Sequence, residues 1–328
     1  MYETPIEFVV HAIGQRPKHI MLMAIDDAPA GNDTYTFEIN TTRASTTTGF
    51  VHVQGMVIKA DADAQWTYNT TAVSVAAGGT GTVVTLSTNY PAGTKVVVLA
   101  YVLAYHTSYL HYFVGAGNVK IVLDGTVVSS NQFNTAAYET VQPLHVNLCF
   151  GTTLTTSTQT WTVEFTNGSI REYYVYAILV IFSVDDVVFL DTASVALSNG
   201  VQVTVGDLTT SLQGNVAVIA IASADNAGTT SGTAFNANYV VLQLNNSATD
   251  QISNLVGWHL DPNNYHGRSG TLPLFRFDTR VTNPSYQVKM TARTDGINGE
   301  AKIVAFKIVT PVVPRRCRRS RITILGVC

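Results

Sequence analysis

Three stretches of this sequence set the main constraint on its fold. Lys95 to Tyr105 reads KVVVLAYVLAY, Glu172 to Phe182 reads EYYVYAILVIF, and Lys302 to Val309 reads KIVAFKIV. Val, Ile, Tyr and Phe are stiff or bulky near the backbone and suit a pleated sheet better than a helix. A strand with one wet face alternates apolar and polar residues. These runs barely alternate, so each calls for a strand buried on both faces or lying at an interface.

The rest of the chain also reads as strands. Tyr35 to Ile39, Val119 to Leu123, Thr160 to Phe165 and Tyr239 to Leu244 alternate over at least part of their length. Asp124-Gly125, Asn167-Gly168 and Asn199-Gly200 are tight-turn signatures, since only small or Asx residues tolerate the positive φ of hairpin turns. No long 3.6-residue period is present, so no helix of three turns is expected. The expectation is an all-β fold of tandem β-sandwich units with extended terminal strands. A similar closing strand in each of three segments suggests units at 1–107, 108–187 and 188–310, followed by a tail at 311–328. A rival division joins the first two units into one.

Charged residues make up 12% of the 328 residues, against roughly a quarter in ordinary globular proteins. Thr, Ser, Asn, Gln and Gly cover the surface instead, as in Ser45-Thr46-Thr47-Thr48. Short neutral polar groups lose little on desolvation, which suits a protein packed against copies of itself. The net charge of −3 implies no general attraction to nucleic acid or membrane. Five arginines, Arg315, Arg316, Arg318, Arg319 and Arg321, concentrate positive charge in the tail; without them the net charge would be −8.

Both ends carry candidate assembly elements. Ile6, Phe8 and Val10 alternate in a short strand reached through Pro5. At the other end Pro311 to Pro314 forms a stiff linker, the arginine block follows, and Ile322, Ile324 and Leu325 lie on an apolar strand with nothing after it to pair with. Such a strand can add to an open sheet edge of a neighbouring subunit. The arginines would then find acidic neighbours, or alternatively nucleic acid. The chain opens with Met1-Tyr2-Glu3-Thr4-Pro5, which lacks a basic n-region and a long apolar run. No stretch reaches the roughly 18 apolar residues of a membrane-spanning helix. Exit inside a virion, or after trimming of a signal, is expected.

Searches for chemistry return weak patterns. His106 and His111 sit among Tyr105, Tyr109 and Tyr112 without a third ligand at a fixed spacing. The segment Gly257 to Arg268 gathers Trp258, His259, Asp261, Tyr265 and His266, yet supplies no nucleophile or carboxylate pair and reads as an ordered loop. Asp26-Asp27, Asp61 with Asp63, and Asp185-Asp186 match no spaced calcium loop. Gly78-Gly79-Thr80-Gly81 lacks the lysine and helix of a phosphate loop. Neither metal nor cofactor is expected, and no enzymatic activity. Cys149 reads as a small buried apolar residue; Cys317 and Cys328 lie in the tail, paired or free. Five glycosylation sequons occur, at Asn32, Asn40, Asn69, Asn167 and Asn245, of which Asn32 and Asn69 fall in expected loops.

Tandem Thr/Val/Asn-rich sandwiches, few charges, no signal and a detached terminal strand resemble the structural proteins of hyperthermophilic archaeal viruses: jelly-roll capsid, turret and filament subunits. Archaeal surface filaments built from β-sandwiches are similar, although their subunits normally carry a secretion signal. The resemblance implies jelly-roll-like units and a location in the virion or on an extracellular surface. The leading expectation is a subunit that assembles with copies of itself, with other virion proteins as further partners, into a filament or fibre through terminal-strand exchange. A capsid or turret protein with a double jelly roll is the alternative. A carbohydrate-binding module is a further one, with Trp66 and Trp258 as surface aromatics and Trp161 assigned to the core.

Overall fold

The structure, a computed structural model, describes residues 64–105, 115–135, 144–168, 171–226, 238–256, 271–292 and 297–307. The strand expected at Tyr35 to Ile39 and both terminal strands lie outside these residues. The fold is all-β. In the first half lie β1 (Gln65–Tyr68), β2 (Val73–Val75), β3 (Thr80–Thr88), β4 (Lys95–Tyr105), β5 (Gly115–Leu123), β6 (Thr126–Thr135), β7 (Leu144–Thr153), β8 (Gln159–Thr166) and β9 (Tyr173–Val184). The second half contains β10 (Asp186–Asp191), β11 (Val195–Leu197), β12 (Gln202–Thr209), β13 (Gln213–Asn226), β14 (Asn238–Leu244), β15 (Gln251–Val256), β16 (Thr271–Thr282), β17 (Ser285–Thr291) and β18 (Ile297–Lys307).

These strands form four antiparallel sheets. The first half gives an inner sheet in the order β1-β9-β4-β7, with β2 also on β9, and an outer sheet β3-β8-β5-β6. The second half gives an inner sheet β10-β18-β13-β16, with β11 also on β18, and an outer sheet β12-β17-β14-β15. Adding nine to each strand number of the first half reproduces the second. Because β1 and β2 share one side of β9, and β10 and β11 one side of β18, each half has eight strand positions in two sheets that the chain visits in alternation, except at the β5–β6 and β14–β15 hairpins. That order is a jelly roll. Strands on either side of residue 107 alternate between the two sheets of one sandwich, since β4 pairs with β7 and β9 while β5 pairs with β6 and β8. The chain passes from one sandwich to the other at Asp185.

Local features repeat as well. The outer-sheet register slips by one residue between Thr82 and Val84 and again between Thr204 and Gly206. Trp161 and Tyr286 hold corresponding places, opposite Leu86 and Leu208, and both are fully buried. At Asp124-Gly125 both residues have positive φ (48° and 81°) and join β5 to β6, as a two-residue hairpin of mirror-image type requires. Asn167-Gly168 is different: it begins the connection from β8 to β9, which lie in opposite sheets, so no hairpin can close there.

Each sandwich has its own core. Val98, Ala100, Ile121, Leu148, Trp161, Val163, Phe165 and Leu179 fill the first, and Val218, Ala220, Leu242, Leu274, Tyr286, Val288 and Ile303 the second. A third cluster lies between the two inner sheets. Val97, Leu99, Cys149, Phe182 and Val184 meet Ala217, Ile219, Ile221, Val304 and Phe306 there, and Phe182 packs edge-on to Phe306 with ring centroids 5.6 Å apart. The chain is therefore a stack of four sheets in the order outer, inner, inner, outer. The long apolar runs are β4, β9 and β18, which are buried on both faces as their sequences require.

Gly151 on β7 sets how closely the inner sheets approach. A Cβ there would lie 2.5 Å from Val187 Cγ2 and 2.8 Å from Val304 Cγ2 of the second sandwich. Such contacts cannot be relieved without moving a sheet, and overpacking of this kind costs about 1–3 kcal/mol. Gly151→Ala is expected to lower stability by that amount in denaturant melts. Unchanged stability would show that the seam yields freely.

Candidate assembly interface

The expected assembly residues Ile6, Phe8, Val10, Arg315, Arg316, Arg318, Arg319, Arg321, Ile322, Ile324 and Leu325 lie outside the described residues, as do Asn32, His106, His111, Trp258, Cys317, Cys328 and the loop 257–268. The described residues instead present two broad sheet faces, those of the outer sheets that point away from the cores.

On the first outer sheet, residues directly opposite one another share a face. Thr80 lies opposite Thr166, which lies opposite Asn118; Thr82 opposite Glu164, then Lys120; Thr85 opposite Thr162, then Val122; Ser87 opposite Thr160. Thr80 and Thr166 share a hydroxyl–hydroxyl hydrogen bond of 3.0 Å. The strands pack Trp161, Val163 and Phe165 inward, so Thr160, Thr162, Glu164 and Thr166 face outward. The result is a face mostly of short hydroxyls, with Asn118, Lys120 and Val122 on β5 and the oppositely charged Glu164 across from Lys120 on β8. Val127, at the edge of the same sheet beside Val122, is 49% exposed.

The second outer sheet carries carboxamides. Gln287 Nε2 donates to Asp207 Oδ1 (2.9 Å) and Ser285 Oγ (2.8 Å), Gln243 Nε2 donates to Gln251 Oε1 (2.9 Å), and Lys289 Nζ donates to Asn246 Oδ1 (2.5 Å). The Gln287–Asp207 and Gln243–Gln251 bonds run from strand to strand across the sheet. Gln243 and Gln287 are buried.

A third feature is the part of the first inner sheet beyond the third core. Tyr105 stacks on Tyr174 and Tyr176, with centroids 5.8 and 6.2 Å away. Tyr101 is buried and shares a 2.8 Å hydrogen bond with His145 Nδ1. Burial pushes the Tyr101 phenol up, and burial followed by the Tyr176 hydrogen bond does the same at Tyr105. Neither phenol ionises at neutral pH, and the neighbouring Tyr174 hydroxyl donates to Glu172 Oε2 (3.1 Å). Trp66 is half-buried on β1, while Trp161 is fully buried with its Nε1 donating to Thr88 Oγ1 (3.1 Å), which leaves it no access to a sugar.

Polar side chains inside the molecule stitch strands together. Asn69 Nδ2 donates to Thr71 O (2.8 Å) and Val175 O (3.0 Å), and Asn69 Oδ1 accepts from Ala177 N (2.7 Å). Asn167 is fully buried, and its Nδ2 faces the carbonyls of Val75, Ala76 and Arg171 at 2.6–3.1 Å. Arg276 is the internal ion: Nε donates to both oxygens of Asp278 (2.9 and 2.7 Å) and Nη2 to Asp250 Oδ1 (2.5 Å). Burial alone would weaken its charge, and the bonds to Asp278 and Asp250 outweigh that and strengthen it. Asp186, one of the paired acids, accepts from Lys95 Nζ at 2.8 Å and so ties β10 to β4. Among the described residues no group of three or more His, Cys, Asp and Glu side chains could hold a metal ion, and no helix is long and apolar enough to cross a membrane.

No family model matches the chain, and no curated protein matches it. Among solved structures it is similar to PNGF-II, with 10% identity over 80% of this chain and 66% of that one, and a TM-score of 0.37. It is also similar to the STIV MCP, with 10% identity over 75% of this chain and 97% of that one, at a TM-score of 0.30. The infectious bursal disease virus VP2 subviral particle shares 10% identity over 77% of this chain and 43% of that one, at a TM-score of 0.26. The chain thus spans just under two thirds of the first of these proteins, and none of the three likenesses reaches a TM-score of 0.5.

Cys149 sits in the seam between the inner sheets, and burial pushes its thiol up to about 12 from 9.0. A raised thiol pKa stabilises the fold fully below about pH 9, and this contribution is lost as pH rises from there through about 12. At pH 8 the thiolate fraction falls from about one in ten to about one in ten thousand. In a Cys317→Ser, Cys328→Ser background, a thiol reagent at pH 8 is expected to leave the folded protein unlabelled and to react with one equivalent after denaturation. Prompt labelling of the folded protein would refute the burial of this thiol.

Proposed function

We propose that this protein is a structural subunit that assembles with copies of itself, and that the assembly is a virion-associated shell. The observation that carries this reading is the outward face of the first outer sheet, which presents rows of Thr and Ser with one lysine and one glutamate, Lys120 opposite Glu164, among them. Burying a hydroxyl that finds a partner costs little, whereas burying an unpaired charge costs several kcal/mol. A face of this kind can pack against another protein surface without a large desolvation penalty.

The tandem architecture supports a shell more than a single-file fibre. The seam makes the two jelly rolls one block in which the strand order repeats, with hydroxyls on one outer face and carboxamides on the other. A block with two such halves can meet neighbours through both, which suits a closed or two-dimensional arrangement of copies. The role is structural, and no catalytic step is assigned to any residue. A fibre joined by exchange of residues 6–10 or 322–325 is the second reading; it is supported by the sequence of those segments alone.

Thr80→Lys with Thr162→Lys places two positive charges on the hydroxyl face without touching the core. Electron microscopy of the purified protein is expected to show shells or sheets for the parent chain and dispersed subunits for this variant, with unchanged circular dichroism. Truncation after Val309 is expected to leave the assemblies intact. Assemblies that survive the two lysines but vanish on truncation would replace the shell reading with the fibre one. A parent chain that stays dispersed across salt and pH would overturn both.

A further inference from the structure

Three of the sequons lie within the described residues, and their side-chain amides are in very different circumstances. An N-glycan replaces one hydrogen of the Asn carboxamide nitrogen and leaves its carbonyl oxygen in place. At Asn69 both hydrogens are engaged, one on Thr71 O and one on Val175 O, and the oxygen accepts from Ala177 N. At Asn167 the nitrogen is fully buried among three carbonyls. A sugar at either position would break a bond that holds the edge of an inner sheet, and at Asn167 it would also have to occupy packed space.

Asn245 is arranged the opposite way. It is the first residue of the β14–β15 connection, is exposed, and has a left-handed backbone with φ of 50°. The turn is held by backbone bonds: Asn245 N donates to Ser285 O (2.8 Å) and Ser247 N to Leu244 O (3.0 Å). Among the described residues the one side-chain bond of Asn245 uses the oxygen, Oδ1 accepting from Ser285 N at 3.0 Å. That bond survives glycosylation, because the modified amide keeps its carbonyl. The nitrogen that would carry the sugar makes no bond to the described residues.

We propose that Asn245, in Asn245-Asn246-Ser247, is an N-glycosylation site of the folded protein, and that Asn69 and Asn167 are closed to it. The donor class is a polyprenyl-pyrophosphate-linked oligosaccharide. The Asn245 Nδ2 attacks the anomeric carbon, the C–O bond to the pyrophosphate breaks, the lipid pyrophosphate leaves, and the amide proton passes to the transferase's base. A glycan here would stand on the rim of the second outer sheet, beside the carboxamide ladder, and would keep that rim from close contact with another subunit.

The test uses the folded, unglycosylated full chain, a purified single-subunit oligosaccharyltransferase and a lipid-linked oligosaccharide, read by peptide mass mapping. The expected result is glycan on the peptide containing Asn245 and none on those containing Asn69 or Asn167. Ser247→Ala removes the sequon while leaving the left-handed Asn in place, and is expected to abolish that addition with no change in melting temperature. The unfolded chain, offered in denaturant-diluted form, is expected to accept sugar at Asn69 and Asn167 as well. An unmodified Asn245 in the folded chain that becomes modified only after unfolding would overturn the proposal. So would sugar on Asn69 or Asn167 in a chain that remains folded.

Discussion

The structure depends on one apolar seam, the contact between the two inner sheets. Each inner sheet packs on its own outer sheet and on the other inner sheet, so its central strands have no wet face over much of their length. About ten buried side chains meet there, five from each jelly roll. At about 1.5–3 kcal/mol for each large side chain buried, the gross contribution is on the order of 20 kcal/mol before the entropy of ordering is subtracted. Two consequences follow. The jelly rolls cannot hinge against each other without exposing this surface. The seam also dictates a glycine at residue 151, because Val187 and Val304 already occupy the space a side chain would need.

Two jelly rolls of the same strand order meet the same mechanical demands with different residues. Each has an edge strand that breaks beside its last, central strand, at β1–β2 and at β10–β11. The break leaves ladder groups on the central strand without a strand partner, and a buried polar group without a partner is costly. In the first jelly roll the amide of Asn69 takes up Val175 O and Ala177 N. In the second the hydroxyl of Thr192 both donates to Ala301 O (3.1 Å) and accepts from Ala301 N (2.9 Å). The positions correspond, the function is the same, and the residues are unlike. Trp161 and Tyr286 repeat the pattern in the cores.

This substitution of means explains what the sequence reveals and what it conceals. The strands β4, β9 and β18 are legible because two-sided burial leaves a signal that nothing else in the chain imitates: runs of eight to eleven residues with at most two polar ones. Cys149 and Trp161 are legible as core for a related reason, since each sits in an alternating or apolar run. The pairing of the strands is not legible. Apart from the β5–β6 and β14–β15 hairpins, this jelly roll order sends consecutive strands to opposite sheets, so neighbours in sequence are seldom neighbours in space, and periodicity says nothing about which sheet a strand joins. The twofold repeat is faint in the sequence because only hydrophobicity and turn geometry need to be kept, not residue identity. The polar clamps are the least legible of all. Asn167 precedes Gly168 and so looks like a turn residue, whereas its fixed role comes from three carbonyls brought together by tertiary structure alone.

The scarcity of charge has an internal counterpart that bears on assembly. Of the few ions in the described residues, several are spent within the molecule: Lys95 on Asp186, Lys302 on Asp191, and Arg276 on Asp278 and Asp250. Lys302 is 5% exposed and Arg276 7%, so these are not surface pairs of negligible worth. Lys95 and Asp186 join the two jelly rolls at the rim of the seam; Lys302 and Asp191 join β18 to its edge strand; Arg276 holds the β14–β15 connection against β16. Removing one partner would strand a charge in a region where water cannot stabilise it, a loss of about 3–5 kcal/mol at the most buried sites. Much of the charge among the described residues therefore fixes strands to strands, and the outward face of the first outer sheet carries mainly hydroxyls, with Lys120 and Glu164 opposite each other. Dense surface charge keeps proteins apart. A face with so few charges has less of that barrier, so the same economy of ions that orders the interior lowers the cost of burying the exterior.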